Sequence, residues 1–214
     1  MIISRGRSYI FVHAPKTGGT SMALALEAKA MKDDIMLGDT PKAKRRRRRL
    51  SGINAAGRLW KHSTLADIEG LVSREEIASM FVFTLVRNPW DRIVSYYHWL
   101  RAQSFDHPAV RLAREMAFER FLKQSQVQRS FRTSSAASYM RDGAGIERAR
   151  SYLRLEHFKD DAEPLFQHLG FDFALPHANA SDRMADYRGY YSDHTREIVA
   201  NCFAEDINRF DYRF

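Results

Sequence analysis

Three stretches of the chain share one pattern: a short apolar run, a turn rich in small or polar residues, and then apolar positions at helical spacing. Tyr9–His13 is short, β-branched and aromatic, which predicts a buried strand. From Gly19 to about Lys32, Met22, Leu24, Leu26 and Met31 fall among good helix formers. Met80–Val86, MFVFTLV, is a continuous and largely apolar run, as expected of a strand covered on both faces. Pro89 then stands where a first-turn proline belongs, with Ile93, Tyr96, Tyr97 and Leu100 continuing a helical face. SYLRLEHF, from Ser151, predicts a third strand running into a helix across KDDAEPLFQHLG, which Gly170 ends. Between these blocks, residues 63–71 read as a short helix, and Ser73–Glu76 as a capping box. Residues 108–123 read as an amphipathic helix, and residues 192–210 as a last helix before an aromatic tail. Residues 33–57 are polar, glycine-containing and basic, and read as a loop excursion. The alternation predicts an α/β fold of three P-loop-like layers, with a central, mostly parallel sheet flanked by helices. The expectation is one domain over residues 1–214.

Composition narrows the partners. With 214 residues and 44% hydrophobic content, the chain can bury one sizeable core. No apolar run reaches membrane-spanning length and no cleavable signal is read at the start, so the expected location is cytoplasmic. One cysteine, Cys202, excludes an intramolecular disulfide and any multi-cysteine metal site, and reads as a buried core thiol. Thirty-four Lys and Arg against 26 Asp and Glu give a net charge of +8, which favours anionic partners. Much of the excess lies in PKAKRRRRRL, Pro41–Leu50. That run reads first as a solvated loop and second as a basic rim for an anionic acceptor. No nucleic-acid-binding fold accompanies it, so no specific nucleic-acid partner is expected.

The chemistry concentrates in two strand–turn–helix corners. In the first, HAPKTGGTS, Gly18 and Gly19 let backbone approach an anion, and a helix N-terminus follows. Thr17, Thr20 and Ser21 add hydroxyl donors, and Lys16 adds a positive charge. A Walker loop places its lysine after the glycines; here the lysine precedes them, and the strand Met80–Val86 leads into Arg87 rather than a magnesium-binding aspartate. The loop suits an anion other than an ordinary Mg·ATP. In the second corner, RNPWDRIVSYYHW, Arg87 follows the strand end and Ser95 lies a little over two helical turns on. A guanidinium and a hydroxyl so placed could converge on one phosphate. Arg92 could assist, or could be an ordinary solvated helix residue.

Together these two corners resemble the nucleotide-binding motifs of sulfotransferases that use 3′-phosphoadenosine 5′-phosphosulfate (PAPS), most closely sulfotransferase family 2, the carbohydrate and Golgi-type branch. KHSTLADI, LRLEHFKDD and the segment HANASDR to DYRF resemble further parts of that family, while residues 33–57 match least. The resemblance implies that Pro15–Ser21 (Pro15, Lys16, Thr17, Gly18, Gly19, Thr20 and Ser21) cradles the 5′-phosphosulfate, and that Arg87 and Ser95 grip the 3′-phosphate. It implies sulfuryl transfer by in-line displacement to a hydroxyl or amine, the acceptor being a carbohydrate. PAPS is then the co-substrate and 3′-phosphoadenosine 5′-phosphate (PAP) the product, with no metal. Lysine ahead of the glycines suits this chemistry, because it can neutralise charge on the bridging oxygen that leaves.

His62, in KHST, is the implied base; its plainer role is capping the helix after it. Glu156, where a strand meets a helix, is the second candidate. Trp60, Trp90 and Tyr97 could offer adenine a face, and Arg154 and Arg183 could add charge near the nucleotide. Asn179–Ser181 matches a glycosylation sequon that the absence of a secretory signal discounts. Two other readings stay open at this point: a diverged P-loop kinase or nucleotide-binding protein, and a polyanion-binding module built on Arg45–Arg49.

Overall fold

A computed structural model of the chain describes residues 1–176, 178 and 183–214, so the Asn179–Ser181 sequon lies outside the described residues. The chain divides into two compact units, Met1–Val86 with Ala136–Asn179 and Arg87–Ser135 with Ala180–Phe214.

The first unit is built on one sheet, which among the described residues has five strands: β1 (Ile2–Ser4), β2 (Tyr9–Val12), β3 (Ile35–Met36), β4 (Phe81–Val86) and β5 (Ser151–Arg154). Their order is β3–β1–β2–β4–β5. The expected β2, β4 and β5 pair in parallel, with Phe11 opposite Phe83 and Phe83 opposite Ser151. β1 pairs antiparallel with both β2 and β3, so it alone runs against the other four. Alternation sorts the strand residues onto two faces. Tyr9, Phe11, Phe83 and Leu85 join one core with Met22 and Leu26 of α1 (Gly19–Ala28) and with Phe158 and Leu165. Ile10, Val12 and Val82 join a second with Leu65, Ile68 and Ile77. Both faces are covered, which is why β4 reads as unbroken apolar sequence.

Residues 33–57 are not a plain loop. They contain β3, the helix α2 (Pro41–Arg46) and a 3₁₀ turn at Arg47–Leu50. Thr40 caps α2 by accepting the Ala43 N–H at 3.1 Å, and Pro41 takes the first helical position. Two of the arginines are hydrogen-bonded to backbone carbonyls: Arg46 donates to Met31 and Asp34, and Arg49 to Lys32. Residues 63–71 form only a 3₁₀ turn at Ala66–Ile68, whereas Ser73 caps α3 (Arg74–Ser79) as expected.

The second unit is helical. It begins with α4 (Pro89–Arg101), capped by the Asn88 side chain at the Trp90 N–H. Residues 108–123 split into Pro108–Glu115 and Phe118–Leu122, because Met116 turns to extended backbone and its carbonyl accepts the Tyr97 hydroxyl at 2.8 Å. The last helix likewise divides into Asp193–Cys202 and Ala204–Phe210. No helix among the described residues is long and apolar enough to cross a membrane.

Candidate active site

In the first unit the site is the corner between β2 and α1. Gly18 sits at φ 87°, a left-handed conformation that glycine adopts without cost. A Cβ there would also lie 2.8 Å from Leu155, just past β5. No side chain caps α1, and the first backbone bond at its start runs from the Met22 N–H to Gly18 O at 3.2 Å. The amides of Gly19, Thr20 and Ser21 therefore have no intrahelical acceptor, and the positive end of the helix is presented bare. The hydroxyls of Thr20 and Ser21 make no hydrogen bond among the described residues. Thr17 is different: it is buried and its hydroxyl donates to Ala14 O at 3.0 Å, so it holds the turn's shape and its hydroxyl proton is committed within the loop. Lys16 has φ 64°, left-handed backbone that a non-glycine residue rarely occupies.

His13 links this corner to His62. A Cβ on Gly19 would overlap the His13 imidazole, so that ring lies directly against the first residue of α1. The carbonyl of His13 accepts from His62 Nδ1 at 2.8 Å, and the two rings meet edge to face at 4.8 Å. A carbonyl can only accept, so Nδ1 carries the proton and the lone pair of the neutral ring lies on Nε2. Burial outweighs the hydrogen bond and lowers the His62 pKa to about 4. Burial likewise holds His13 well below the usual histidine value, with Lys16 among the charges that add to it. Gly19→Ala should therefore displace His13 and cost about 1–3 kcal/mol of stability, as overpacking does. Urea unfolding reads that loss, and an unchanged midpoint would mean the ring has room to move.

The second unit holds Arg87 and Ser95. Arg87 Nε and Nη2 both donate to Asp91 Oδ2, at 2.9 and 2.6 Å. Arg183 Nη2 reaches the other oxygen, Asp91 Oδ1, at 2.5 Å. One carboxylate thus stands between two guanidiniums, leaving an excess of one positive charge. Ser95 is buried one turn beyond Asp91 on the same face of α4. The arginine–aspartate–serine ladder at spacing four was readable in RNPWDRIVS, but Asp91 has no role in the motif reading and was missed.

Other candidates are elsewhere engaged. Arg92 is buried, donates to Ser134 O at 3.2 Å, faces Asp206 and lies over the Phe203 ring, a packing role. Trp90 and Tyr97 are buried in the helical core and offer adenine no face. Arg154 is bidentate to Asp161, and Glu156 is exposed. The expected helix cap is not what His62 does. Trp60 remains exposed, with its ring 5.0 Å from that of His62. Among the described residues no cluster of three or more His, Cys, Asp or Glu is placed to hold a metal ion.

The model of the sulfotransferase family matches residues 1–213, running through both units. No curated protein matches the chain. Among solved structures it is similar to mouse sulfotransferase SULT7A1 complexed with PAP, with a TM-score of 0.49 and 14% identity, covering 96% of this chain and 85% of that one.

Proposed function

This chain belongs to the sulfotransferase family, enzymes that take a sulfuryl group from PAPS, and from that premise we propose how its residues divide the work and that the acceptor is a carbohydrate. The corner Pro15–Ser21 holds the 5′-phosphosulfate. Its fit is supported by the cradle itself: two glycines at positions where a Cβ would collide, three helix amides with no intrahelical acceptor, and two hydroxyls that make no hydrogen bond among the described residues. Arg87 and Ser95 hold the 3′-phosphate, with Asp91 aligning the guanidinium.

PAPS supplies a sulfuryl group on a P–O–S bridge. His62 Nε2 accepts the proton of the acceptor hydroxyl as that oxygen bonds to sulfur. Lys16 neutralises the charge left on the bridging oxygen, which stays with the 5′-phosphate of PAP when the S–O bond breaks. The observation that carries this reading is the tether between the two functions: His13 packs on Gly19 of the anion corner and, through its carbonyl, fixes the tautomer of His62.

Calorimetric titration of PAP without added metal tests the nucleotide half. The wild type should bind in the micromolar range, and Arg87→Ala should weaken binding by about 10- to 150-fold, the loss of one charge-assisted contact. Arg183 still neutralises Asp91 in that variant, so the fold should persist. A wild type that does not bind PAP would refute the assignment.

A further inference from the structure

The turn that carries Arg87 is held by a segment to which the transfer chemistry gives no role. The helix Ala204–Phe210 closes on Asp211, whose φ of 50° and ψ of 41° are left-handed. Residues other than glycine adopt that conformation rarely, and here it reverses the chain. The Tyr212 N–H returns to Ile207 O at 3.1 Å and completes the helix end. Residues 212–214 then run back to the start of α4.

There they meet Asn88 and Trp90. Asn88 is buried and uses both ends of its amide: Oδ1 accepts the Trp90 N–H at 3.1 Å, and Nδ2 donates to Arg213 O at 2.8 Å. A donor at one end and a carbonyl at the other admit one orientation of that amide. One side chain thus caps α4 and ties the cap to a residue 125 positions on. Phe214 sits edge-on to Trp90 at 5.6 Å, to Tyr191 at 5.5 Å and to Tyr187 at 5.8 Å, with Arg196 over its ring. Trp90 is held twice more: its indole N–H donates to Arg196 O at 3.0 Å, and its carbonyl accepts the Tyr191 hydroxyl at 2.8 Å.

These contacts fall on positions 88 and 90, between Arg87 and the Asp91 that aligns it. The first amides of a helix have no intrahelical acceptor, so its first turn is as rigid as whatever holds its cap. A contact that merely stabilised the helical unit could lie anywhere along α4. These lie where the guanidinium leaves the backbone, and a shift of about 1 Å there is enough to spoil a charge-assisted grip. We propose that segment 211–214 is a strap that sets the 3′-phosphate grip, with Asn88 and Phe214 as positioning residues acting through Arg87. Neither touches the nucleotide; they decide how much affinity its 3′-phosphate adds. This inference rests on the sulfotransferase reading and on Arg87 as the residue that holds that phosphate.

The test is calorimetric titration of the full chain with PAP and with adenosine 5′-phosphate, which lacks the 3′-phosphate. The ratio of the two affinities is a quantity that a merely structural role would not move. In the wild type PAP should bind at least about tenfold more tightly. Phe214→Ala should cut that ratio by about 3- to 30-fold through weaker PAP binding, with the affinity for adenosine 5′-phosphate kept. Phe214→Tyr retains the ring and should restore most of the ratio. Asn88→Ser keeps a capping oxygen, loses the donor to Arg213, and should lower the ratio in the same way. It decides the matter alone if urea melts show that Phe214→Ala does not fold. In an Arg87→Ala background Phe214→Ala should cost little more, since the group it positions is gone. Folded variants that keep the wild-type ratio would overturn the proposal, as would equal loss of both nucleotides or a full further loss in the Arg87→Ala background. A wild type that binds PAP and adenosine 5′-phosphate alike, or neither, would refute Arg87 as the phosphate ligand and remove this inference with it.

Discussion

Lys16→Ala is expected to lower kcat by about 10²- to 10³-fold, the effect of removing one group that stabilises developing charge. PAP affinity should fall much less, because the helix amides, Arg87 and Ser95 remain. The backbone makes the case stronger than the motif does. Lys16 sits at φ 64°, where an L-residue costs about 1–2 kcal/mol that glycine would not. A lysine kept at such a position in a glycine-rich corner supports the proposal that its side chain is used. Lys16→Gly is the informative companion. It should lose activity as Lys16→Ala does, yet unfold at a higher urea concentration by about 1 kcal/mol, the relieved strain. Steady-state rates at saturating PAPS and acceptor, with urea melts of both variants, check both halves. Wild-type kcat in Lys16→Ala would take the lysine out of the mechanism.

The strands that carry the corners, β2 and β4, were legible because each buries both faces and is written as a short apolar run, whereas β5, SYLR with only Leu153 buried, lies at the sheet's edge and was read from the strand-to-helix change after it. β1 and β3 were not. Ile2–Ser4 and Ile35–Met36 are three and two residues long, and pairing with one another rather than internal pattern makes them strands. The helix at Pro41 had a readable start in Thr40-Pro41. Five successive arginines hid it, since nothing local shows that Arg46 and Arg49 have carbonyls to receive them. Tertiary contacts also split the predicted helix over 108–123, through the bond from Tyr97 to Met116.

For the proposed site, sequence singled out the anion corner, Arg87, Ser95 and His62 as candidates, because backbone approach, charge and spacing are local properties. It could not say that the hydroxyl of Thr17 is committed to Ala14, or that Asp91 is shared by two arginines. Nor could it say that the Nδ1 proton of His62 faces a carbonyl 49 residues away. Those depend on which segments meet, and they decide what each group can do.

His62 makes the last of these testable. Its neutral form is the buried form, with a pKa near 4 where the unfolded chain has about 6.5. Between those values the unfolded state binds the extra proton, so folding stability is fully present above pH 6.5 and is lost as pH falls toward 4. The loss amounts to about 3 kcal/mol from this residue, and His13 adds to it in the same direction. His62→Gln keeps a donor for the His13 carbonyl without a titrating ring, so urea unfolding from pH 7 to pH 4 should show a correspondingly shallower decline. The same pKa keeps Nε2 unprotonated across neutral pH, so the acid limb of the wild-type kcat profile should lie below pH 5. His62→Gln and His62→Ala should each lower kcat by about 10²- to 10⁴-fold, the range of a positioned general base, with PAP affinity retained. An acid limb near pH 6.5 would mean that some other, solvent-exposed group takes the proton. Glu156→Gln decides between the two candidates in one assay. Exposed Glu156 should be dispensable, and if its loss silences the enzyme while His62→Gln stays active, the roles are reversed.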